Sequence, residues 1–329
     1  MNFIFMDVYK TTVKYKNLRI DYEVKNFRLK DVFKISRSSK SNISTIKISI
    51  TNKKSRGIGE CVPYKRYGDN LSQILKILKS IKNYKDIHQI KSLPLQNAIS
   101  NALYDLKLRE KKIKFLKIIQ KTKFISAVTI PIFNKVKFTK EVKKYKNIKY
   151  LKIKVNQKNV FEYLNIIKKY SPKSKIIIDA NEGWTIKFFH KHENSFKKYN
   201  IFFIEQPVKS NQDHLLKTKI PLCADESFHK KSKLKNIKKY KWVNIKADKF
   251  GSEQAILKAI KFAKKNKLKI FFGCMVSSSL SIIPMLRFAK FCNLLDLDGP
   301  LFLLKDYKNG LQYKGNVLIY NKYFDYGYL

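Results

Sequence analysis

The chain has 329 residues, of which 44% are hydrophobic and 13% aromatic, so it can bury a core and is not a disordered chain. Its formal net charge is +47, and a charge of this size is typical of proteins that bind nucleic acids or acidic membranes. Here the lysines are spread through every predicted helix and form no single arm or patch. We interpret the charge as a compositional bias of the whole chain, which disfavours a nucleic-acid partner.

The cysteine pattern and the apolar segments bear on the cellular location. The four cysteines show no Cys-x-x-Cys spacing, so we expect reduced thiols and no disulfide scaffold. The first ten residues lack the pattern of a secretion signal, and no stretch approaches the roughly eighteen apolar residues of a membrane span. We therefore expect a cytoplasmic protein with no membrane partner.

The first third of the chain differs from the rest. Strand patterns occupy residues 9–23 and 44–50, and helical periodicity occupies residues 71–81 and 96–109. Between the two strands, residues 27–40 are rich in serine and basic side chains. This order predicts an α+β unit over residues 1–120.

After this unit, short apolar segments recur about every twenty to twenty-seven residues, with lysine-rich amphipathic stretches between most of them. The segments begin near Ile125, Tyr150, Lys175, Ile201, Pro221, Trp242, Lys269 and Leu294. Eight strands alternating with helices at this period predict a (β/α) barrel of the TIM type, because each parallel strand needs a crossover helix. We expect the barrel to span residues 121–304 and the tail, residues 305–329, to return to the first unit.

Several of the predicted strands run into a charged residue at the same end. These residues are Lys154, Asp179, Glu205, Asp225 and Lys249. The active site of such a barrel lies at the carboxyl ends of its strands, so the five side chains should converge on one mouth. Three carboxylates on successive strands suit Mg²⁺, which prefers oxygen ligands. No histidine lies beside them, which argues against a zinc centre.

The two lysines flank the three acidic strands. Lys154 precedes them and Lys249 follows them, so in a closed barrel they would lie across the mouth from each other. A nearby dication or a second ammonium group lowers the pKa of a lysine, which can then act as a base. Two such lysines would remove a proton from one face of a substrate and return it on the other.

These residues resemble those of the enolase superfamily, in particular its muconate-lactonizing-enzyme subgroup and the dipeptide epimerases of the L-Ala-D/L-Glu type. The matching motifs cover nearly the whole chain, and they are specific together although each alone is weak. They comprise residues 59–61, 63–64, 66–68, 152, 154, 179–182, 205–207, 224–227, 244–246, 248–249, 251, 273–275 and 296–300. The resemblance implies an α/β protein with a (β/α)7β modified TIM barrel and an α+β capping domain that the tail completes.

The resemblance also implies the chemistry. One Mg²⁺ would bind the terminal carboxylate of the substrate, and its ligands would be Asp179, Glu205 and Asp225. Lys152 would stabilise the charge that develops on that carboxylate, and Lys154 and Lys249 would be the acid/base pair. The expected reaction is a 1,1-proton transfer that inverts the α-carbon of the second residue of a dipeptide, converting L-Ala-L-Glu to L-Ala-D-Glu.

Asp296 and Asp298 separate this reaction from those of related enzymes. Two carboxylates two residues apart on a strand point the same way, and such a pair suits a free α-ammonium group. In dipeptide epimerases this motif has that role. Muconate cycloisomerases and o-succinylbenzoate synthases, which remain the alternative functions, have no substrate amine to hold.

The side chain of the second substrate residue is expected to meet the capping domain. Residues 33–40 resemble a mobile capping loop in which Arg37 or Lys40 would pair with a glutamate side chain. A lysine at position 40 cannot form the bidentate pair that an arginine forms with a carboxylate, which loosens selectivity. Met275 and Ser277 are expected near the substrate, and the serine departs from the family pattern.

The expected partner is therefore a small dipeptide, with a role in the metabolism of cell-wall peptides. The sequence leaves open the identity of the second residue and the oligomeric state, for which a homo-oligomer is one option.

Overall fold

The amino-terminal unit is an antiparallel sheet packed on helices. The computed structural model describes residues 18–81, 89–230 and 237–328. The unit comprises strands β1 (Arg19–Ile35), β2 (Ser38–Thr51) and β3 (Arg56–Cys61) and helices α1 (Leu71–Ser80), α2 (Leu93–Glu110) and α3 (Phe115–Ile119). The strand order is β1-β2-β3. Alternation along β2 buries Ile46, Ile48 and Ile50 against apolar residues of α1 and α2, as the sequence pattern predicts.

The serine-rich stretch at residues 33–40 is not a loop, and in this respect the prediction is wrong. Strands β1 and β2 continue through it as a long hairpin, with Phe33 opposite Lys40 and a turn at Ser36 and Arg37. Backbone pairing with β2 thus outweighs the polar composition. Residues 9–17 of the first predicted strand lie outside the described residues.

An eight-stranded parallel sheet follows a short strand, β4 (Lys123–Ile125). Its strands are β5 (Val128–Ile130), β6 (Tyr150–Lys154), β7 (Lys175–Asp179), β8 (Ile201–Glu205), β9 (Leu222–Ala224), β10 (Trp242–Lys246), β11 (Lys269–Gly273) and β12 (Leu294–Asp296). Each strand pairs with its neighbour in sequence, and a parallel bridge between Ser126 and Leu295 joins the two edges. The prediction of a TIM-type barrel is confirmed, although its first strand begins at Val128 and Ile125 belongs to β4.

Side-chain alternation along the strands decides what faces the interior of the barrel. The interior layer contains Ala127, Ile177, Phe203, Cys223, Trp242, Phe271 and Leu294. Ile176 and Ile178 belong instead to the core between the sheet and the outer helices. A residue two positions beyond an interior residue faces the same way, so Asp179 also points inward.

Helices cover the outside of the barrel over most of its circumference. They are α4 (Lys135–Lys144), α5 (Val160–Tyr170), α6 (Ile186–Phe196) and α8 (Glu253–Lys265). Two short helices, α7 (Ala247–Phe250) and α9 (Ser279–Ile282), lie instead between the barrel and the amino-terminal unit. Between β8 and β9 the chain forms only a 3-10 turn, Asp213–Leu215, so the strict alternation of strand and helix fails there. Within the described ranges, no helix is long and apolar enough to cross a membrane.

The tail contacts both units. Its strands β13 (Gln312–Lys314) and β14 (Val317–Ile319) form a small antiparallel sheet with β4. Its last residues reach α2, where the Tyr326 hydroxyl donates a hydrogen bond to the Asn101 carbonyl oxygen at 3.0 Å. The domain boundaries at residues 120 and 304 stay predictions.

Strand β3 packs so closely on α2 that only glycine fits at Gly59. A Cβ atom there would lie 2.1 Å from the Ala98 carbonyl oxygen. We expect Gly59→Ala to lower the free energy of unfolding by at least about 2 kcal/mol, because backbone must shift to relieve the overlap. Urea unfolding measures this change. Lys76→Ala, on the exposed face of α1, is the control, and equal stabilities of the two variants would contradict the prediction.

Candidate active site

Charged side chains from six barrel strands meet at the carboxyl end of the barrel, beneath the β1–β2 hairpin. They line or underlie a cavity that the hairpin, the loop at residues 62–67 and the segment at residues 274–276 enclose. The charged residues are Lys152, Lys154, Asp179, Glu205, Asp225, Lys246 and Asp296. All seven are buried, so each charge must be balanced by a neighbour.

Lys152 is the ammonium group at the centre of this cluster. Its Nζ lies 2.7 Å from Glu205 Oε2, 2.7 Å from Asp296 Oδ2 and 3.1 Å from Asp179 Oδ2. Burial lowers the pKa of Lys152, but the three carboxylates outweigh this effect and hold the pKa well above its ordinary value. These three contacts hold the Lys152 ammonium group among the acidic side chains.

Two further lysines line the cavity from opposite sides of the acidic strands. Lys154, at the end of β6, contacts the Asp179 carboxylate. Lys246, at the end of β10, lies 2.7 Å from Asp225 Oδ2. Burial lowers the pKa of Lys246, but Asp225 and then Glu205 raise it further, to well above its ordinary value. Because both side chains line the cavity, both ammonium groups can contact a molecule bound there.

Lys249, the expected partner of Lys154, does not line the cavity. It lies in α7, fully buried, and its Nζ donates hydrogen bonds to Asp225 Oδ1 at 2.6 Å, the Asp225 carbonyl oxygen at 2.6 Å and the Asn244 carbonyl oxygen at 3.0 Å. Because β10 ends at Lys246 and not at Lys249, the place that we expected Lys249 to occupy belongs to Lys246. Trp242, Asn244 and Lys246 are alternate residues of β10, so Lys246 faces the barrel interior as Trp242 does. This spacing is the sequence signal that identifies Lys246.

The three acidic residues expected to hold a metal lie at the carboxyl ends of neighbouring strands. Asp179 and Glu205 end neighbouring strands and Asp225 follows the next one, all with carboxylates buried. Burial, followed by the charge of Asp179, raises the pKa of Glu205 to about 7. Glu205 Oε1 accepts a hydrogen bond from Asn244 Nδ2 at 2.7 Å, and Oε2 forms the ion pair with Lys152 Nζ at 2.7 Å.

This donor set fits Mg²⁺ by its chemistry, because three buried carboxylates supply the hard oxygen ligands that this ion prefers. Within the part of the chain that the structure describes, however, no three acidic, histidine or cysteine side chains are already arranged around one point. The Lys152 ammonium group lies between Asp179 and Glu205 instead. A cation bound by these carboxylates would take over part of the charge balance that the lysines provide.

Asp296 and Asp298 both line the cavity, as the sequence predicts. Asp296 Oδ2 lies 2.7 Å from Lys152 Nζ, and Oδ1 is buried without a hydrogen-bond partner among the residues that the structure describes. Asp298 Oδ2 accepts a hydrogen bond from the Thr129 backbone N–H at 2.6 Å. Burial, followed by the charge of Asp296, raises the pKa of Asp298 to about 7.

Of the two cations expected to meet the substrate side chain, only Lys40 has its charged group available. The Arg37 guanidinium is engaged by barrel carboxylates, 2.8 Å from Glu182 Oε2 and 2.8 Å from Glu226 Oε1. Lys40 Nζ lies 5.3 Å from the centre of the Tyr64 ring and forms no ion pair with a described residue.

Of the two residues after β11 that were expected near the substrate, only one lines the cavity. Met275 lines the cavity, but Ser277 is buried beside it and does not. The residue between them, Val276, supplies the contact surface instead. The sequence assigned no role to Tyr67 or Glu226, which also line the cavity, although both lie in motifs that carry the family resemblance.

The chain is similar in sequence to a known protein family and to curated proteins. A family model described as "Enolase C-terminal domain-like" matches residues 136–298. An N-acetyl-D-glutamate racemase from a Pseudoalteromonas species is 31% identical over 284 residues, which are 82% of this chain and 90% of that protein. The L-Ala-D/L-Glu epimerase of Escherichia coli K12 is 29% identical over 304 residues, 85% of this chain and 93% of that protein.

Solved structures share the fold. An enolase family member from Agrobacterium tumefaciens with homology to dipeptide epimerases, solved with sodium and L-Ala-L-Glu, has a TM-score of 0.83 at 27% identity and covers 92% of this chain and 98% of that one. A dipeptide epimerase from Cytophaga hutchinsonii, solved with Mg²⁺ and D-Ala-L-Val, has a TM-score of 0.81 at 20% identity and covers 92% of both chains.

The chain therefore belongs to the enolase superfamily, and this prediction is confirmed. Its curated relatives are racemases and epimerases, so it is an enzyme of the isomerase class, as expected.

The contacts of Lys249 predict a structural role for it. We expect Lys249→Ala to lower the free energy of unfolding by about 3 kcal/mol, because the buried Asp225 carboxylate loses one of its two cations. Urea unfolding measures the loss. The control is Lys258→Ala on the exposed face of α8, which should be neutral. A Lys249→Ala variant as stable as the parent would disprove this role.

Proposed function

We propose that this protein is a Mg²⁺-dependent dipeptide epimerase that converts L-Ala-L-Glu to L-Ala-D-Glu. The observation that carries the proposal is the pair of ammonium groups, Lys154 and Lys246, which line one cavity from opposite sides of three acidic strands. A substrate α-carbon held between them would present one face to each lysine. This arrangement is what proton removal and return on opposite faces requires.

The reaction begins when one of the two lysines, in its neutral form, takes the α-proton of the glutamate residue. Asp225 and Glu205 raise the pKa of Lys246, and a Mg²⁺ ion held by these carboxylates would offset that effect and favour the neutral form. The other lysine, protonated, then donates a proton to the opposite face, and the two exchange roles in the reverse direction. Lys152, held protonated by three carboxylates, supplies a fixed positive charge as negative charge develops on the substrate carboxylate. Mg²⁺ bound to Asp179, Glu205 and Asp225 would add further positive charge beside that carboxylate.

The two ends of the substrate would meet opposite charges. Asp296 Oδ1, which is buried and has no hydrogen-bond partner within the described ranges, and Asp298 would accept the α-ammonium group of the first residue. Lys40, which has no ion-pair partner among described residues, would pair with the glutamate side chain from the capping hairpin. Met275 would contact the substrate from the end of β11.

A second candidate substrate is an N-acylglutamate that has no free amine, such as N-acetylglutamate. The Pseudoalteromonas racemase is named for such a compound. One contact here also favours it, because Asp296 already has a cationic partner in Lys152 and so has less need of a substrate ammonium group. Both candidates share the same reaction at the α-carbon of a glutamate whose nitrogen is acylated.

The cytoplasmic location, the absence of a nucleic-acid partner and the oligomeric state stay predictions. They do not affect the proposed reaction.

Proton NMR in D₂O with L-Ala-L-Glu and Mg²⁺ tests the reaction and its bases. We expect the parent enzyme to exchange the glutamate α-proton and to form the L,D diastereomer. Lys154→Ala and Lys246→Ala should each lose at least about 100-fold in epimerisation. Each should still exchange the α-proton of only one diastereomer, and the two variants should differ in which one, because each retains the base of one face.

Lys258→Ala on the exposed face of α8 is the control for these variants. An unchanged rate in Lys246→Ala would contradict the assignment of this lysine. Absence of exchange with any of a broad panel of dipeptides and N-acylglutamates would contradict the proposed function and favour a cycloisomerase or an o-succinylbenzoate synthase.

The pKa of Asp298 predicts how dipeptide binding depends on pH. Because burial and Asp296 raise this pKa to about 7, Asp298 loses its negative charge as the pH falls from 8 to 6. KM for L-Ala-L-Glu should therefore rise about tenfold over this range, while KM for N-acetyl-L-glutamate should change much less. The Asp298→Asn variant should show no such difference between substrates. Equal pH dependence of both substrates in the parent enzyme would exclude Asp298 as the partner of the amine.

A further inference from the structure

Two separate segments of the capping unit reach one barrel carboxylate, that of Glu182. Arg37, in the turn between β1 and β2, places Nη1 2.8 Å from Glu182 Oε2. Arg66, in the 3-10 helix Lys65–Tyr67, contacts the same oxygen through Nη2. The Glu182 side chain is 7% exposed, so both ion pairs are shielded from water on the carboxylate side.

A second set of contacts joins the same turn to the barrel. Arg37 Nη2 lies 2.8 Å from Glu226 Oε1, and the Glu226 side chain is buried. The Ser36 hydroxyl donates a hydrogen bond to the Ala180 carbonyl oxygen at 2.7 Å. With Arg66 and Glu182, the two pairs form a cluster of two arginines and two glutamates with no net charge, as a partly buried cluster requires.

The backbone around Glu182 is itself held in an unusual conformation. Asn181 and Glu182 have φ angles of +46° and +65°, in the left-handed region that residues other than glycine rarely adopt. Glu182 N donates to the Gln206 carbonyl oxygen at 2.8 Å, and Glu182 Oε1 accepts from Ser210 N at 3.0 Å. The second carboxylate oxygen, Oε2, is thereby directed at the two arginines.

The segments that Glu182 holds are the ones that carry the side-chain contacts of the cavity. Lys40 lies three residues after Arg37 on the hairpin, where it pairs with Phe33. Tyr64, beneath the Lys40 ammonium group, lies two residues before Arg66. Lys40 has no ion pair of its own among described residues, so its position depends on how these two segments are held.

We propose that Glu182 is a positioning residue, which anchors the β1–β2 turn and the loop at residues 64–67 over the cavity and so places Lys40 against an acidic substrate side chain. The proposal rests on the function proposed above. It assigns Glu182 to substrate selectivity, whereas the neighbouring Asp179 belongs to the proposed metal set.

The test compares L-Ala-L-Glu with its neutral isostere L-Ala-L-Gln. For Glu182→Gln, we expect kcat/KM for L-Ala-L-Glu to fall at least tenfold, mainly through KM, and that for L-Ala-L-Gln to fall less than threefold. Selectivity for the acidic substrate therefore decreases, as it should in Lys40→Met. Equal losses for both substrates, or none, would overturn the proposal, since a merely structural role cannot distinguish them.

The chain provides a matched control. Asp31 of β1 pairs with Lys137 of α4, so this ion pair also joins the hairpin to the barrel, but neither residue lines the cavity. Asp31→Asn should leave the ratio of the two substrates unchanged, and a loss of selectivity equal to that of Glu182→Gln would overturn the assignment. Arg66→Met, which removes one ion pair from a more exposed side chain, should shift the ratio in the same direction by a smaller factor, and is informative if Glu182→Gln does not fold.

Hydrogen exchange of residues 33–40, followed by mass spectrometry without substrate, separates this proposal from the proposed function. Amide exchange in this peptide should accelerate about tenfold in Glu182→Gln and stay unchanged in Asp31→Asn. If the parent enzyme epimerises no glutamate derivative but the exchange accelerates, the function is wrong and the anchor is retained. If exchange is unchanged, the anchor is wrong whatever the activity.

Discussion

The structure depends above all on the mutual neutralisation of charges buried at the mouth of the barrel. Four lysines and four carboxylates lie there with little or no contact with water: Lys152, Lys154, Lys246, Lys249, Asp179, Glu205, Asp225 and Asp296. Transfer of one such ion from water costs several kcal/mol, which only close opposite charges can offset. Each of the eight has such a partner. The chemistry of the site therefore uses the same contacts that make its burial tolerable.

The capping unit is joined to the barrel by a second group of buried polar contacts. Glu60 of β3 accepts hydrogen bonds from the hydroxyl groups of Ser278 and Ser281, in and next to α9. Asp248 of α7 accepts a hydrogen bond from the Asn97 side chain of α2 at 2.8 Å. These contacts fix the position of the capping unit relative to the barrel. They explain how residues far apart in sequence form one site.

The strand period of the sequence predicts the barrel well, because crossover geometry constrains the spacing of parallel strands. Of the eight predicted strand starts, those at Tyr150, Lys175, Ile201, Trp242, Lys269 and Leu294 agree with the structure. The acidic residues at strand ends were predictable for the same reason, since strand ends converge in a barrel. The hairpin at residues 27–40 was not, because its strands depend on pairing partners and not on local composition.

The amino-acid sequence is enough to predict the barrel, the carboxylates at its mouth and the family, because these follow from periodicity and from residue types at strand ends. The tertiary structure is needed to tell which lysine reaches the cavity and which of the two hairpin cations, Arg37 or Lys40, has no ion pair among the described residues. Lys249 and Lys246 are three residues apart, and only the end of β10 shows that Lys246 faces inward while Lys249 supports Asp225. Arg37 and Lys40 differ likewise, because only folding brings Glu182 and Glu226 to the guanidinium and leaves the ammonium group of Lys40 facing the cavity.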